Sequence, residues 1–143
     1  MTRDEIRAAI AARPDLADAL AARDDVALAA ALSVGRYRLC RTQIGPGTIM
    51  ATLGAADGAT LLETLTAMAA QAATVPQYVP IKWAMQIINR GELDLGAPAA
   101  REQVATLAAG GVMSQSARDA LLALGQEPDP VSVSEVSAAL NEV

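Results

Sequence analysis

The chain has 143 residues, enough for one domain that buries roughly two-thirds of the surface its unfolded chain exposes. Its formal net charge of −5 argues against a general nucleic-acid binder, because such proteins gain affinity by neutralising phosphates. The sequence contains no His, the commonest general base and metal ligand, and its single Cys40 cannot form an intramolecular disulfide. We therefore expect a soluble protein with no enzymatic activity, no cofactor and no metal.

Three short helices are predicted at the start of the chain. Thr2 and Glu5 have the spacing of a capping box, in which each residue's side chain accepts a hydrogen bond from the other's amide. Pro14 is well placed to open a second helix, because its fixed φ suits the first helical position. Asp24 or Asp25 caps a third helix. We expect these helices to fold back on one another.

The stretch after these helices, residues 36–44, is the one with strand character. Arg36 and Arg38 alternate with Tyr37 and Leu39, as in a strand whose two faces differ. Since no second stretch of similar quality exists, the sequence predicts no sheet within the chain, and the segment is either a connector or an edge that awaits a partner. Its arginines are either solvated with local ion pairs or form a contact strip for an acidic neighbouring subunit. The residues assigned to this hypothetical partner contact are Arg36, Tyr37, Arg38, Arg41 and Ile44.

Beyond residue 44, apolar stripes at helical spacing alternate with Gly, Pro and capping residues. The longest predicted helix covers about residues 58–73. Residues 128–130 are expected to be a stiff linker, and Ser132 with Glu135 has the spacing of a second capping box. The predicted first or capping residues of the helices in this part of the chain are Thr48, Asp57, Pro80, Pro98, Ser114 and Ser132.

These elements predict an all-α fold, a compact orthogonal bundle of about eight short helices with one extended segment. Alanine is the commonest apolar residue and Phe is absent, so the core must come from aliphatic side chains and close-packed helices. We expect a single domain over residues 1–143, in which residues 1–35 are a candidate N-terminal subdomain. No apolar run approaches the roughly 18 residues that a membrane helix needs.

Two acidic pairs are the nearest approach to a catalytic or cation-binding group. Asp24 with Asp25, and Glu92 with Asp94, could share a proton or hold a divalent cation. Both pairs fall where helix caps are expected, so capping is the favoured interpretation. The turn at residues 45–48 is similar to a phosphate-binding nest, but no Gly-Lys-Ser/Thr sequence follows it.

The two predicted helices within residues 101–124 have the arrangement that a DNA-binding helix-turn-helix would need. A helix-turn-helix protein places polar and basic residues of its second helix in the major groove. Here Asp119 lies beside Arg118 and the flanks are not basic, so an ordinary helical hairpin is favoured.

Four segments rich in turn and cap residues, at 32–36, 44–49, 90–96 and 111–132, together resemble a group of small Ala-rich virion proteins of tailed bacteriophages. The resemblance implies a non-enzymatic structural component of the virion, from the tail, baseplate or fibre-attachment region, assembled in the host cytoplasm. It also implies several symmetric copies that contact other virion subunits, with no nucleic acid and no membrane as partner. The alternatives are a tail or fibre assembly chaperone and a small helix-turn-helix regulator.

Overall fold

The computed structural model describes residues 1–141, and its fold is mainly helical, as the sequence predicts. The described residues form nine α-helices, with short 3₁₀ helices at Pro14–Leu16 and Pro76–Tyr78. The helices are α1 (Arg3–Ala11), α2 (Ala17–Ala21), α3 (Asp25–Ser33), α4 (Pro46–Leu53), α5 (Ala55–Ala70), α6 (Val79–Asn89), α7 (Pro98–Ala109), α8 (Gln115–Leu124) and α9 (Val133–Asn141). The strands are β1 (Tyr37–Leu39), β2 (Gln43–Ile44), β3 (Leu93–Asp94) and β4 (Gln126–Pro128).

The chain divides into two compact units. The first unit consists of residues 1–38 and 128–143, and the second consists of residues 39–127. The predicted subdomain, residues 1–35, lies within the first unit. The last helix, α9, belongs to the same unit because it packs against both α1 and α3.

The first unit has its own aliphatic core. The apolar stripe of α1 is buried, and so are the inward faces of α3 and α9. The two predicted capping boxes are present: Thr2 pairs with Glu5 at the start of α1, and Ser132 pairs with Glu135 at the start of α9. The core residues are Ile6, Ile10, Leu16, Leu28, Ala29, Leu32, Val131, Val136 and Ala139.

Arginines close the C-terminal ends of two helices in this unit. The Arg7 Nε donates to the Ala139 carbonyl at 2.6 Å, and the Arg13 Nη1 donates to the Ala31 carbonyl at 3.1 Å. Neither α3 nor α9 has a basic residue in its own last turn, so these side chains from elsewhere in the unit satisfy terminal carbonyl groups. Arg7 and Arg13 therefore stabilise the fold of the first unit.

Helices α4 and α5 of the second unit are joined at Gly54, which has a φ of +95°. This conformation is accessible to glycine and lets one helix follow the other directly. A Cβ added to Gly58 would lie 2.6 Å from the Met50 Cα, so the two helices also approach closely. The predicted caps at Thr48 and Asp57 are wrong, because α4 begins at Pro46 and α5 at Ala55, after glycine N-caps.

The prediction that the extended segment has no partner strand within the chain is also wrong. β1 pairs with β4, and β2 pairs antiparallel with β3, with Ile44 opposite Leu93. The partner strands have two or three residues each, too short to show an alternating pattern in the sequence. The linker predicted at 128–130 begins at Pro128, which is the last residue of β4. That strand is too short to be recognised from the sequence.

Candidate functional site

The structure places the predicted contact residues in different environments. The Arg36 guanidinium makes an ion pair with the Asp129 carboxylate (Nη2 to Oδ2, 3.0 Å), and its Nε donates to the Asp129 carbonyl at 3.2 Å. Tyr37, Arg38 and Arg41 are exposed. Arg36 is therefore engaged in a local ion pair, and this fits the structure better than a role in contacting a partner.

Ile44 does not belong to any surface. It is 2% exposed and lies in the core of the second unit, so its assignment to a partner contact is wrong. Its neighbour across the β2–β3 pair is Leu93, and the apolar side chain is needed for that core. Tyr37, at 59% exposure, is the best-exposed apolar residue of the predicted contact set.

Asp94 has a structural role in the second unit. Its Oδ1 accepts hydrogen bonds from the amides of Thr42 and Gly96, both at 2.9 Å. These two N–H groups lower the pKa of the Asp94 carboxyl group, with a smaller contribution from the positive charge of Arg41. The carboxylate fixes the backbone of two segments that are far apart in the sequence.

The capping interpretation is wrong for Glu92 and Asp94, because Asp94 lies in β3 and the N-cap of α7 is Ala97, but it is confirmed for the other acidic pair. Asp24 Oδ1 accepts a hydrogen bond from the Ala27 amide at 2.9 Å, which caps α3 as predicted. Among residues 1–141, no three Cys, Asp or Glu side chains cluster in a way that could hold a metal ion. In the same part of the chain, no helix combines the length and the apolar character of a membrane span.

The helical hairpin of α7 and α8 does not present a free basic helix. The Arg118 Nη2 contacts the Asp119 carboxylate at 2.8 Å, so its charge is paired locally. Ser114 is used as the N-cap of α8, where its Oγ accepts from the Ala117 amide at 3.0 Å. The Arg118 guanidinium and the Ser114 hydroxyl thus both have local partners.

The second unit has an open groove between α6 and α7, which we call the Trp83 groove. Its volume is about 730 Å³. Trp83 is 56% exposed and Ile87 is 40% exposed, although large apolar side chains are normally buried. The residues that line it are Pro80, Trp83, Ala84, Ile87, Glu92, Leu93, Asp94, Ala97, Ala99, Ala100, Glu102, Gln103 and Thr106.

The walls of the Trp83 groove are held by packing on other helices. α6 packs against α5 on an adjacent face, where Ile81, Met85 and Ile88 are buried, and α7 packs against α8. The Gln103 Nε2 donates to the Pro80 carbonyl at 3.2 Å and so joins the two walls at one end. The groove is therefore a preformed feature of the second unit.

Most of the residues that line the groove are apolar, and the charged ones are acidic. Glu92, Asp94 and Glu102 are its charged lining residues, whereas no Lys or Arg of residues 1–141 lines it. Two cations lie close by without lining it. The Lys82 Nζ is 5.6 Å from the centroid of the Trp83 ring, in cation–π geometry, and Arg41 interacts electrostatically with Asp94.

Sequence reasoning did not identify this groove, although a signal was present. Pro80, Trp83, Ala84 and Ile87 recur at i, i+3, i+4 and i+7, which defines a second apolar stripe on α6 beside the buried one. A helix that is apolar on two faces must either be covered on both or leave one face exposed.

Comparison of the chain with protein-family models, curated proteins and solved structures gave no match.

Proposed function

We propose that this chain is a non-enzymatic structural component of a tailed-phage virion that acts by binding other protein subunits. The observation that carries the contact role is the exposed Trp83 groove. Trp and other aromatic residues are enriched where protein interfaces gain most of their binding energy. An exposed apolar patch bordered by charged residues is typical of a protein–protein contact.

The virion assignment is supported by the resemblance in turn and cap segments, to which the groove adds a surface suited to assembly. A structural subunit needs contacts more than chemistry, and one carboxylate of each acidic pair is used here to bind backbone amides. Asp24 caps a helix, and Asp94 binds two backbone amides.

The direct test is mass spectrometry of phage particles purified through a density gradient. We expect the chain at a constant stoichiometry relative to the major tail protein after repeated purification. A chaperone would instead be found in infected-cell extracts bound to a tail or fibre protein and would be absent from the particles. That second result would refute the structural role.

A groove variant tests the contact surface within the same particles. Ile87→Ser removes apolar area at an exposed site, so the chain should still fold but be incorporated less. Val133→Ser is a matched control, because Val133 is 42% exposed, lies in the first unit and does not line the groove. Equal incorporation of the two variants would contradict a role for the groove.

A further inference from the structure

The Trp83 groove has the length of a site for a docked helix. Its α6 wall runs from Pro80 to Ile87, which is about 10 Å at a rise of roughly 1.5 Å per residue. Helices that dock in grooves use anchor side chains at i, i+3 or i+4, and i+7, which cover the same distance. The opposite wall includes Ala99 and Ala100, whose small side chains allow another backbone to approach closely.

An extended peptide or a small molecule fits this groove less well. An added strand needs a sheet edge of several residues to pair with, whereas β3, the strand at the groove, has only two residues. Small-molecule sites enclose roughly 70–90% of their ligand. At 56% exposure, Trp83 lies in an open groove that is better suited to the face of a protein element.

The charges around the groove favour a basic partner. Glu92 and Glu102 are exposed and line the groove together with Asp94. Opposite charges on the partner would steer association and fix its register. The Lys82 Nζ already lies near one face of the Trp83 ring, so the acidic side chains rather than this ring select the charge of the partner.

In the part of the chain that the structure describes, neither α6 nor α1 supplies such a helix. The exposed apolar stripe of α6 beside Lys82 is itself a wall of the groove, and Lys82 already lies over Trp83. α1 carries Arg3 and Arg7, but its apolar residues Ile6 and Ile10 are buried in the first unit. Arg7 is also used to close the end of α9. A different protein is therefore a better occupant than a second copy of this chain.

We infer that the Trp83 groove binds an amphipathic α-helix of a partner protein, with apolar side chains on Trp83 and Ile87 and with Lys or Arg beside Glu92 and Glu102. This inference rests on the proposed function, because it gives the chemistry of one contact that the structural role requires. It goes further in specifying a helix and the sign of its charge.

The probe is a displayed library of helical peptides of about 18 residues, selected on the full-length chain. Enriched peptides are then synthesised and titrated while the emission of Trp83, the single Trp of the chain, is recorded. We expect selected peptides to have apolar residues at i, i+4 and i+7 with flanking Lys or Arg, and to shift the emission to shorter wavelength on saturation. Binding should weaken as salt is added.

Variants separate the apolar part from the electrostatic part. Ile87→Ser should weaken binding about tenfold, through the lost burial of an aliphatic side chain. Glu102→Gln should weaken it about two- to fivefold, the range of an exposed ion pair. Glu63→Gln is the matched control, because Glu63 is also an exposed helical glutamate but does not line the groove, and it should leave the affinity unchanged.

Several results would overturn the inference. These are no enrichment on the wild-type chain, enrichment of acidic or neutral peptides, or equal binding by the Ile87→Ser variant. If the chain self-associates in sedimentation and Ile87→Ser abolishes this, the occupant is a second copy. If a small molecule is released from the purified chain on denaturation, the occupant is that ligand. If the chain is found in particles but no peptide binds, the inference alone fails; if peptides bind but the chain is absent from particles, the proposed function alone fails.

Discussion

Replacing Gly96 by Ala should destabilise the second unit by about 1.5–4.5 kcal/mol. A Cβ at this position would overlap the Cys40 carbonyl group and lie 3.0 Å from the Arg41 amide nitrogen. Both neighbours are backbone atoms, which cannot rotate away as a flexible side chain can. Inserting one methyl group into a tightly packed site typically costs about 1–3 kcal/mol.

The hydrogen bonds around Gly96 add to this cost. The Leu95 amide donates to the Thr42 carbonyl at 3.0 Å, and the Cys40 amide donates to the Gly125 carbonyl at 2.9 Å. Relief of the overlap requires the segment at Cys40 to move away, which should break or lengthen about one of these bonds. A lost backbone hydrogen bond costs about 0.5–1.5 kcal/mol net, and the sum gives the stated range.

Urea unfolding measures this effect, followed by Trp83 emission for the second unit and by circular dichroism for all helices. The matched control is Gly47→Ala, since an added Cβ there meets no heavy atom within 4 Å and the residue lies in α4. That variant should be more stable by about 0.5–1 kcal/mol, because Ala is the better helix former. A Gly96→Ala chain within about 0.5 kcal/mol of wild type would refute the packing argument.

Three further predictions concern single polar groups. The folded-state pKa of Asp94 is below its ordinary value of 3.8, so the carboxylate stabilises the fold above that pH, and this contribution is lost as the pH falls through the folded pKa. The urea midpoint of Asp94→Asn should therefore fall less than that of wild type between neutral and acidic pH. An equal fall would contradict this. Ser132→Ala should lower the free energy of unfolding by about 1 kcal/mol through loss of the N-cap, whereas Ser116→Ala, at an exposed serine that caps no helix, should change it by less than about 0.5 kcal/mol. Arg36→Ser should lower the free energy of unfolding by up to about 1 kcal/mol, and a double-mutant cycle with Asp129→Asn should give a non-zero coupling energy. A coupling energy of zero would mean that the ion pair does not stabilise the fold and would favour the partner-contact interpretation of Arg36.

The sequence alone determined the helical class and many helix ends. Capping boxes and N-caps involve residues three positions apart, so the pairs of Thr2 with Glu5 and of Ser132 with Glu135 could be identified directly. The cap at Ser114 was found in the same way. Where glycine is the N-cap, at Gly45 and Gly54, no side chain accepts a hydrogen bond at the helix start, and the predicted caps lie three residues later.

The tertiary structure alone decided which distant segments meet. β1 and β4 are separated by most of the second unit, and β4 is too short to show strand periodicity, so their pairing depends on how the intervening helices pack. The same packing buries Ile44 and leaves Trp83 exposed. Local sequence patterns report hydrogen bonds and stripes within a few residues of one another, whereas burial depends on which helix faces find a partner. α6 carries two apolar stripes, and only the fold determines that one lies in the core and the other lines the groove.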